Sequence, residues 1–237
     1  MNEIAILDKK VILKSIENNY LSSFDEIEFL FFLKKYFNDK AINIIDCGSN
    51  IGSYSIFFSL FCNSNTIYSF EAHPEIFNVL KLNIEKNNCK NIICQNIGIS
   101  NKKSVLNLIS FIPNNKGAYW FWYKGEERIT PYDSGYKDHK SIDNKTLFVN
   151  SDSIDNLVSD KIDFIKIDVE GMELEVLSGA KNTIKKHRPL IYVEGSIKTF
   201  RDLDVWILEN KYNRLEKNLF KSHHYLLEPL NEDSSNR

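Results

Sequence analysis

Apolar residues in this chain gather into short unbroken runs, and each run is followed by a stretch with helical spacing. The runs lie at Asn43 to Asp46, Thr66 to Glu71, Ile92 to Gln95, Asp163 to Asp168 and Leu190 to Glu194. Continuous runs of this kind fit strands buried on both faces of a parallel sheet. Between them, Gly52 to Phe61 is apolar on nearly every side, as in a helix packed under a sheet. Pro74 opens a helix with Phe77, Leu80 and Ile84 on one face, since a missing N–H costs nothing in a first turn. Met172 to Lys186 predicts a helix burying Leu177, Ala180 and Ile184. Thr199 is placed to cap another, with Phe200, Leu203 and Ile207 on its inner face. Tyr212 to Leu219 and His224 to Leu227 predict two closing antiparallel strands. Upstream, Ser23-Phe24-Asp25-Glu26 has capping-box spacing and predicts a helix through about Phe37. Ile4 to Tyr20 reads as a short strand or a helix outside the main sheet. The pattern predicts an α/β fold: a seven-stranded, mostly parallel sheet with helices on both faces. Residues 1–40 form a helical N-terminal extension, and residues 41–237 form one domain.

The rhythm fails over residues 101–150. This segment is rich in Gly, Asn, Asp and aromatics, including Tyr119-Trp120-Phe121-Trp122-Tyr123. So long an irregular stretch inside a compact domain points to function, and a hairpin or two plus loop is expected. Tyr119, Trp120 and Trp122 are candidates to stack on an acceptor's apolar face and to hydrogen-bond through their polar tips. A hairpin that buries its tryptophans against the core is the other reading.

The candidate chemistry sits at the strand ends. Asp46-Cys47-Gly48-Ser49-Asn50-Ile51-Gly52 reads as a strand running through a glycine turn into a helix, where α/β proteins hold nucleotide-like cofactors. Asp46 would repel a pyrophosphate but attract an ammonium and a sulfonium. The spacing is G-x-x-x-G and not the dinucleotide G-x-G-x-x-G. Both facts favour S-adenosylmethionine. In this reading Gly48 and Gly52 let the backbone approach the ligand, and Ser49 and Asn50 line the turn. Asp46 holds the α-ammonium, directly or through water, and amides opening the next helix take the carboxylate. Glu71, with Ala72 beside it, ends the second strand, where a carboxylate can accept both ribose hydroxyls. Asn96, Ile97 and Gly98 are expected against the adenine.

Lys166-Ile167-Asp168-Val169-Glu170-Gly171 ends the fourth core strand, and alternation puts Lys166, Asp168 and Glu170 on one side. Charges buried there without partners would cost several kcal/mol, on the order of a broken buried ion pair. Asp168 is therefore the strongest catalytic candidate, with Lys166, Glu170 and Glu194 beside it. Two roles fit: a base that takes a hydroxyl proton, or Asp168 with Glu194 holding a divalent cation that acidifies the hydroxyl. A plain pairing of Lys166 with Glu170 at the helix start is the structural alternative.

These blocks, with Phe70-Glu71-Ala72-His73-Pro74, Glu173, Gly179-Ala180, Arg188-Pro189 and Glu194, resemble the signatures of the FkbM-type S-adenosylmethionine-dependent methyltransferases. The likeness spans about Ile42 to Gly195 and is weakest in the insertion. Cys47 departs from the small aliphatic residue common there. The resemblance implies a class I methyltransferase, Rossmann-like fold and O-methylation of sugars, glycans or natural products. The expected acceptor is a sugar hydroxyl of a surface glycan or its activated precursor. A small secondary metabolite, or a non-catalytic binding protein that keeps the fold, are the alternatives.

Bulk properties narrow this further. The 237 residues carry 30 basic and 32 acidic side chains, for a net charge of −2. No basic field exists to drive sequence-independent nucleic-acid binding, so no nucleic-acid partner is expected. The most apolar runs, Phe29 to Leu33 and Ile56 to Cys62, fall well short of the ~20 residues that span a bilayer. The charge order at the N-terminus does not fit a signal peptide. Cys47, Cys62, Cys89 and Cys94 match no zinc spacing and read as reduced packing residues, which fits a cytoplasmic protein.

Overall fold

The computed structural model describes residues 2–6, 9–13, 27–110, 119–124, 147–195, 200–215 and 224–230. Its main sheet has seven strands: β3 (Ile42–Cys47), β4 (Ser64–Phe70), β5 (Ile92–Gln95), β10 (Phe164–Ile167), β11 (Leu190–Glu194), β12 (Tyr212–Arg214) and β13 (His224–Pro229). Their order is β12-β13-β11-β10-β3-β4-β5. The five from β11 to β5 run parallel, and β13 joins β11 and β12 antiparallel. Both the mostly parallel sheet and its antiparallel end agree with the pattern of apolar runs. Strand order reverses between β3 and β10, so their carboxyl ends flank a cleft.

Helices α1 (Ile27–Tyr36), α2 (Ser53–Phe61), α3 (Pro74–Lys86), α4 (Ile154–Leu157), α5 (Glu173–Gly179), α6 (Lys181–His187) and α7 (Phe200–Glu209) complete the layers. Strand alternation splits β3 between two cores. Ile42 and Ile44 pack with Phe29, Phe57, Phe58 and Phe164. Ile45 and Cys47 pack with Ile165, Ile167, Val176 and Leu177. The four cysteines are free, as expected.

Three differences from the sequence reading have physical causes. The single helix expected over Met172 to Lys186 is two, α5 and α6, divided at Ala180. Just before the break, a Cβ on Gly179 would lie 2.1 Å from the Ser100 carbonyl oxygen, so only glycine lets α5 press on that turn. The N-terminal extension is not wholly helical: β1 (Asn2–Ile6) and β2 (Lys9–Leu13) form an antiparallel hairpin ahead of α1. The capping residues Ser23–Glu26 and Thr199 lie outside the described residues.

The third difference is in the insertion, whose two ends form a second sheet. Strands β6 (Gly98–Ile99), β7 (Ser104–Ser110), β8 (Tyr119–Tyr123) and β9 (Leu147–Asp152) assemble in the order β6-β9-β7-β8. The expected hairpin is β7–β8, with Trp122 registered on Asn107 and Trp120 on Ile109. β9 pairs with the other edge of β7 and brings Val149 opposite Leu106. Residues 125–146 fall outside the described set.

Candidate active site

The pocket opens where β3, β4 and β10 end. Glycine makes its floor. Gly48 has φ +76°, and a Cβ there would sit 1.8 Å from the Asp168 carbonyl oxygen, so the β3 turn and the tip of β10 cross in direct contact. Gly52, at φ +91°, starts α2 with no side-chain cap. Asn50 also adopts a left-handed conformation, one that Asn tolerates better than most residues.

One wall is apolar: Phe70, Ile76, Ile97, Ile99, Leu106 and Met172. The polar side is acidic. Glu71, Asp168 and Glu170 line it with Asn50, and no basic side chain does among the described residues. Glu71 is buried, and its Oε2 accepts from the Asn50 amide at 2.9 Å while Oε1 accepts from the His73 amide at 2.7 Å. Burial pushes its carboxyl up to about 7, against the pull of those two amides. Each oxygen keeps a further lone pair for a ligand hydroxyl.

Asp46 is fully buried and does not line the pocket. Strand register sets it beside Lys166. Its Oδ2 accepts from the Ser55 hydroxyl at 2.6 Å, and its Oδ1 lies 3.6 Å from Lys166 Nζ. A serine chain continues beneath the loop: Ser69 donates to Ser49 at 2.7 Å and Ser49 to the Asp46 carbonyl at 2.8 Å, with the Ser55 hydroxyl oxygen 2.9 Å from that of Ser69. Asp46 thus faces an ammonium of the protein's own.

Lys166 is only 2% exposed, with Nζ 3.2 Å from Asp168 Oδ2 and 4.6 Å over the Tyr54 ring. Burial alone would discharge it, but Asp168 and Asp46 together hold it charged. Asp168, one-third exposed at the pocket edge, is pulled the other way. Burial would raise its carboxyl, yet the Lys166 charge and a hydrogen bond shared with Glu194 hold it below the usual carboxylate range. Glu194 takes the proton of that pair: burial and the neighbouring Asp168 charge push it up to about 9. Glu170 is exposed at the rim, lifted there by a positive φ of 54°.

Other candidates stand behind the lining. Asn96 does not line the pocket; its Nδ2 donates to the carbonyls of Glu71 and Ala72, at 2.8 and 2.9 Å, and braces that turn. Ile97, Gly98 and Ala72 do line it. The amides of Gly48, Ser49, Asn50, Ile51 and Gly52 all have acceptors within the protein, so only the first turn of α2 remains for a ligand carboxylate. Tyr119, Trp120 and Trp122 belong to β8, but their side chains lie outside the described residues. Ile76, Ile99, Leu106 and Met172 were missed. Leu106 had a signal in the apolar-polar alternation of Val105-Leu106-Asn107-Leu108, masked by its polar surroundings.

The expected cation site at Asp168 and Glu194 does not fit these donors. Lys166 already occupies Asp168, and no group of three or more His, Cys, Asp or Glu is arranged to hold a metal among the described residues.

A family model for the methyltransferase FkbM domain matches residues 46–215, from the buried aspartate through β12. The chain belongs to the FkbM methyltransferase family. An FkbM assignment accounts for the class I fold and for the blocks at Asp46, Glu71 and Asp168. Methyltransferase 1 of Beauveria bassiana (strain ARSEF 2860) is 25% identical over 195 residues, covering 73% of this chain and 76% of that protein. The crystal structure of an FkbM methyltransferase from Methylobacillus flagellatus KT superposes with a TM-score of 0.54 at 18% identity. That match covers 79% of this chain but only 43% of the Methylobacillus chain. The METTL16 methyltransferase domain superposes at 0.51 with 12% identity, covering 92% of this chain and 73% of the other. At these identities the two structures share the fold.

Proposed function

We propose that this FkbM protein is an S-adenosylmethionine-dependent O-methyltransferase acting on a hydroxyl, most simply that of a sugar in a surface glycan or its activated precursor. The observation that carries the reading is Asp168, held ionised by Lys166 at the edge of an otherwise apolar and acidic pocket. The pocket suits this cofactor in three ways. Its lining titratable groups are all carboxyls, with Asp168 held ionised, matching an ammonium and a sulfonium. Ile76, Ile97 and Leu106 offer a flat apolar wall for a base. Glu71 presents a buried carboxylate for two ribose hydroxyls. Support for a sugar acceptor comes from the family likeness and from the aromatic sequence of β8.

S-adenosylmethionine, when bound, supplies a methyl group activated on sulfur. The remaining task is positioning, which the protein's own groups perform. Asp168 accepts a hydrogen bond from the acceptor hydroxyl and aims a lone pair of that oxygen. Its lowered pKa does not disable it, because the oxygen turns strongly acidic as it gains the methyl group and then gives its proton even to a weak base. Lys166, fixed by Asp46 and the serine chain, keeps Asp168 from rotating away.

Calorimetry with S-adenosylmethionine, followed by labelled methyl transfer over a panel of glycans and nucleotide sugars, tests this. Asp168→Asn should retain cofactor affinity and lose turnover by roughly 100-fold or more, the usual contribution of a positioned acid or base. A chain that binds no S-adenosylmethionine, or an Asp168→Asn variant with full activity, would sink the proposal.

A further inference from the structure

One titratable side chain beside the site lies outside the residues matched by the family. We propose that His224 is the outlet of a proton relay, Asp168 to Glu194 to His224, that carries the acceptor's hydroxyl proton away from the pocket. This rests on the methyltransferase reading above and extends it to a residue on the antiparallel strand beside β11.

The relay follows from register. Parallel pairing sets Ile167 beside Val193, so Asp168 and Glu194 follow side by side at the ends of β10 and β11. Antiparallel pairing then sets Glu194 directly opposite His224. His224 Nε2 lies 3.7 Å from Glu194 Oε1, and the ring stacks on Tyr192 at 5.2 Å with planes 23° apart. Stacking fixes the plane of the imidazole and leaves its edge toward the carboxyl. The titratable groups on that side are Glu194 and Tyr192 of β11, Lys166 and Asp168 at the end of β10, and Glu170 in the turn that follows. Lys166 is already bound between Asp46 and Asp168 and takes no proton.

The proton count closes. As the acceptor oxygen bonds to the methyl carbon, the carbon–sulfur bond breaks with its electron pair going to sulfur, the O–H bond breaks with its pair staying on oxygen, and the proton moves to Asp168. Asp168 passes a proton to Glu194, and Glu194 Oε1 passes one to His224 Nε2, either through one bridging water or after the 3.7 Å gap closes to hydrogen-bond length. The imidazolium releases it to water at the start of β13, where the side chain is 11% exposed. Asp168 and Glu194 return to holding one proton between them. Without an outlet, a proton left on the pair would block the next turnover, because Asp168 could no longer accept.

Two measurements on the full chain test the relay. In long-range 1H–15N spectra of the ligand-free protein, the His224 Nε2 resonance, assigned by its loss in His224→Gln, should move in Glu194→Ala and also in Asp168→Asn. The Asp168 charge also reaches the ring directly, so coupling through Glu194 is read as a response to Asp168→Asn that shrinks sharply in a Glu194→Ala background; an Nε2 signal indifferent to Asp168→Asn, or a response unchanged without Glu194, overturns the relay. For turnover, His224→Ala should slow methyl transfer by about 10- to 100-fold, and added imidazole should restore it. A loss that imidazole does not restore also overturns it, because a histidine that only packs on Tyr192 gives that result. The spectra need no acceptor or cofactor. Coupling in a chain that transfers no methyl group would therefore refute the proposed function and leave the coupled triad standing.

Discussion

Glu71 poses a conflict between stability and ligand binding that can be measured. It is 7% exposed, and burial lifts its carboxyl from 4.5 to about 7. A carboxyl whose pKa rises on folding binds its proton more tightly in the native state. Stability then falls as pH climbs from the unfolded value to the folded one. The gap corresponds to roughly 3 kcal/mol, lost between about pH 4.5 and pH 8. Glu71→Gln removes this dependence. The glutamine oxygen can keep only one of the two amide bonds, from Asn50 or His73, well satisfied, at a cost of about 1–3 kcal/mol that is independent of pH. The difference between the two proteins therefore changes sign or nearly so. Wild type should lead near pH 5, and the variant should gain about 3 kcal/mol on it by pH 8. Urea unfolding of both ligand-free proteins across that range is the assay, with S-adenosylmethionine titration alongside to show the affinity lost. A stability difference that stays constant between pH 5 and pH 8 would refute a carboxylate raised by burial.

Two further substitutions probe the framework. Gly48→Ala places a side chain at a positive φ that costs about 1–2 kcal/mol before its 1.8 Å collision with the Asp168 carbonyl is relieved. Its melting temperature and S-adenosylmethionine affinity should both drop, and native values for both would contradict the crossing. Lys166→Met leaves the Asp46 carboxylate buried with only Ser55 beside it and should destabilise by ~3–5 kcal/mol. The double variant Asp46→Leu, Lys166→Met should recover most of that in urea unfolding, and a double as unstable as the single would show that the two do not act as a pair.

The parallel core was legible because each central strand is buried on both faces, so Ile42 to Ile45, Phe164 to Ile167 and Leu190 to Val193 carry little polar interruption. The glycine loop, Glu71 and Asp168 were legible for a related reason, since charge and glycine at strand ends have few structural uses. Strands β6, β7 and β9 were not. Their stability comes from pairings such as Val149 with Leu106, between segments separated by most of the insertion, and Ser, Asn and Asp interrupt the apolar residues of β7 and β9. Asp46 shows the limit more sharply. Its charge was visible, but its partner is the Lys166 ammonium that parallel register places beside it, and composition cannot tell an internal cation from a bound one. His224 carried no local signal at all, because its relevance depends on which residue lies across the antiparallel edge.

The acidic lining of the pocket has a consequence for turnover. Under the proposed reaction the spent cofactor is one positive charge poorer than the donor. Glu71, Asp168 and Glu170 remain where they were, with Lys166 locked into its own balance behind them. Attraction between wall and ligand therefore weakens at the moment the methyl group leaves, with no moving part required. The same carboxylates that gather the donor loosen their hold on the product, so the site clears itself by the change in charge that the chemistry makes.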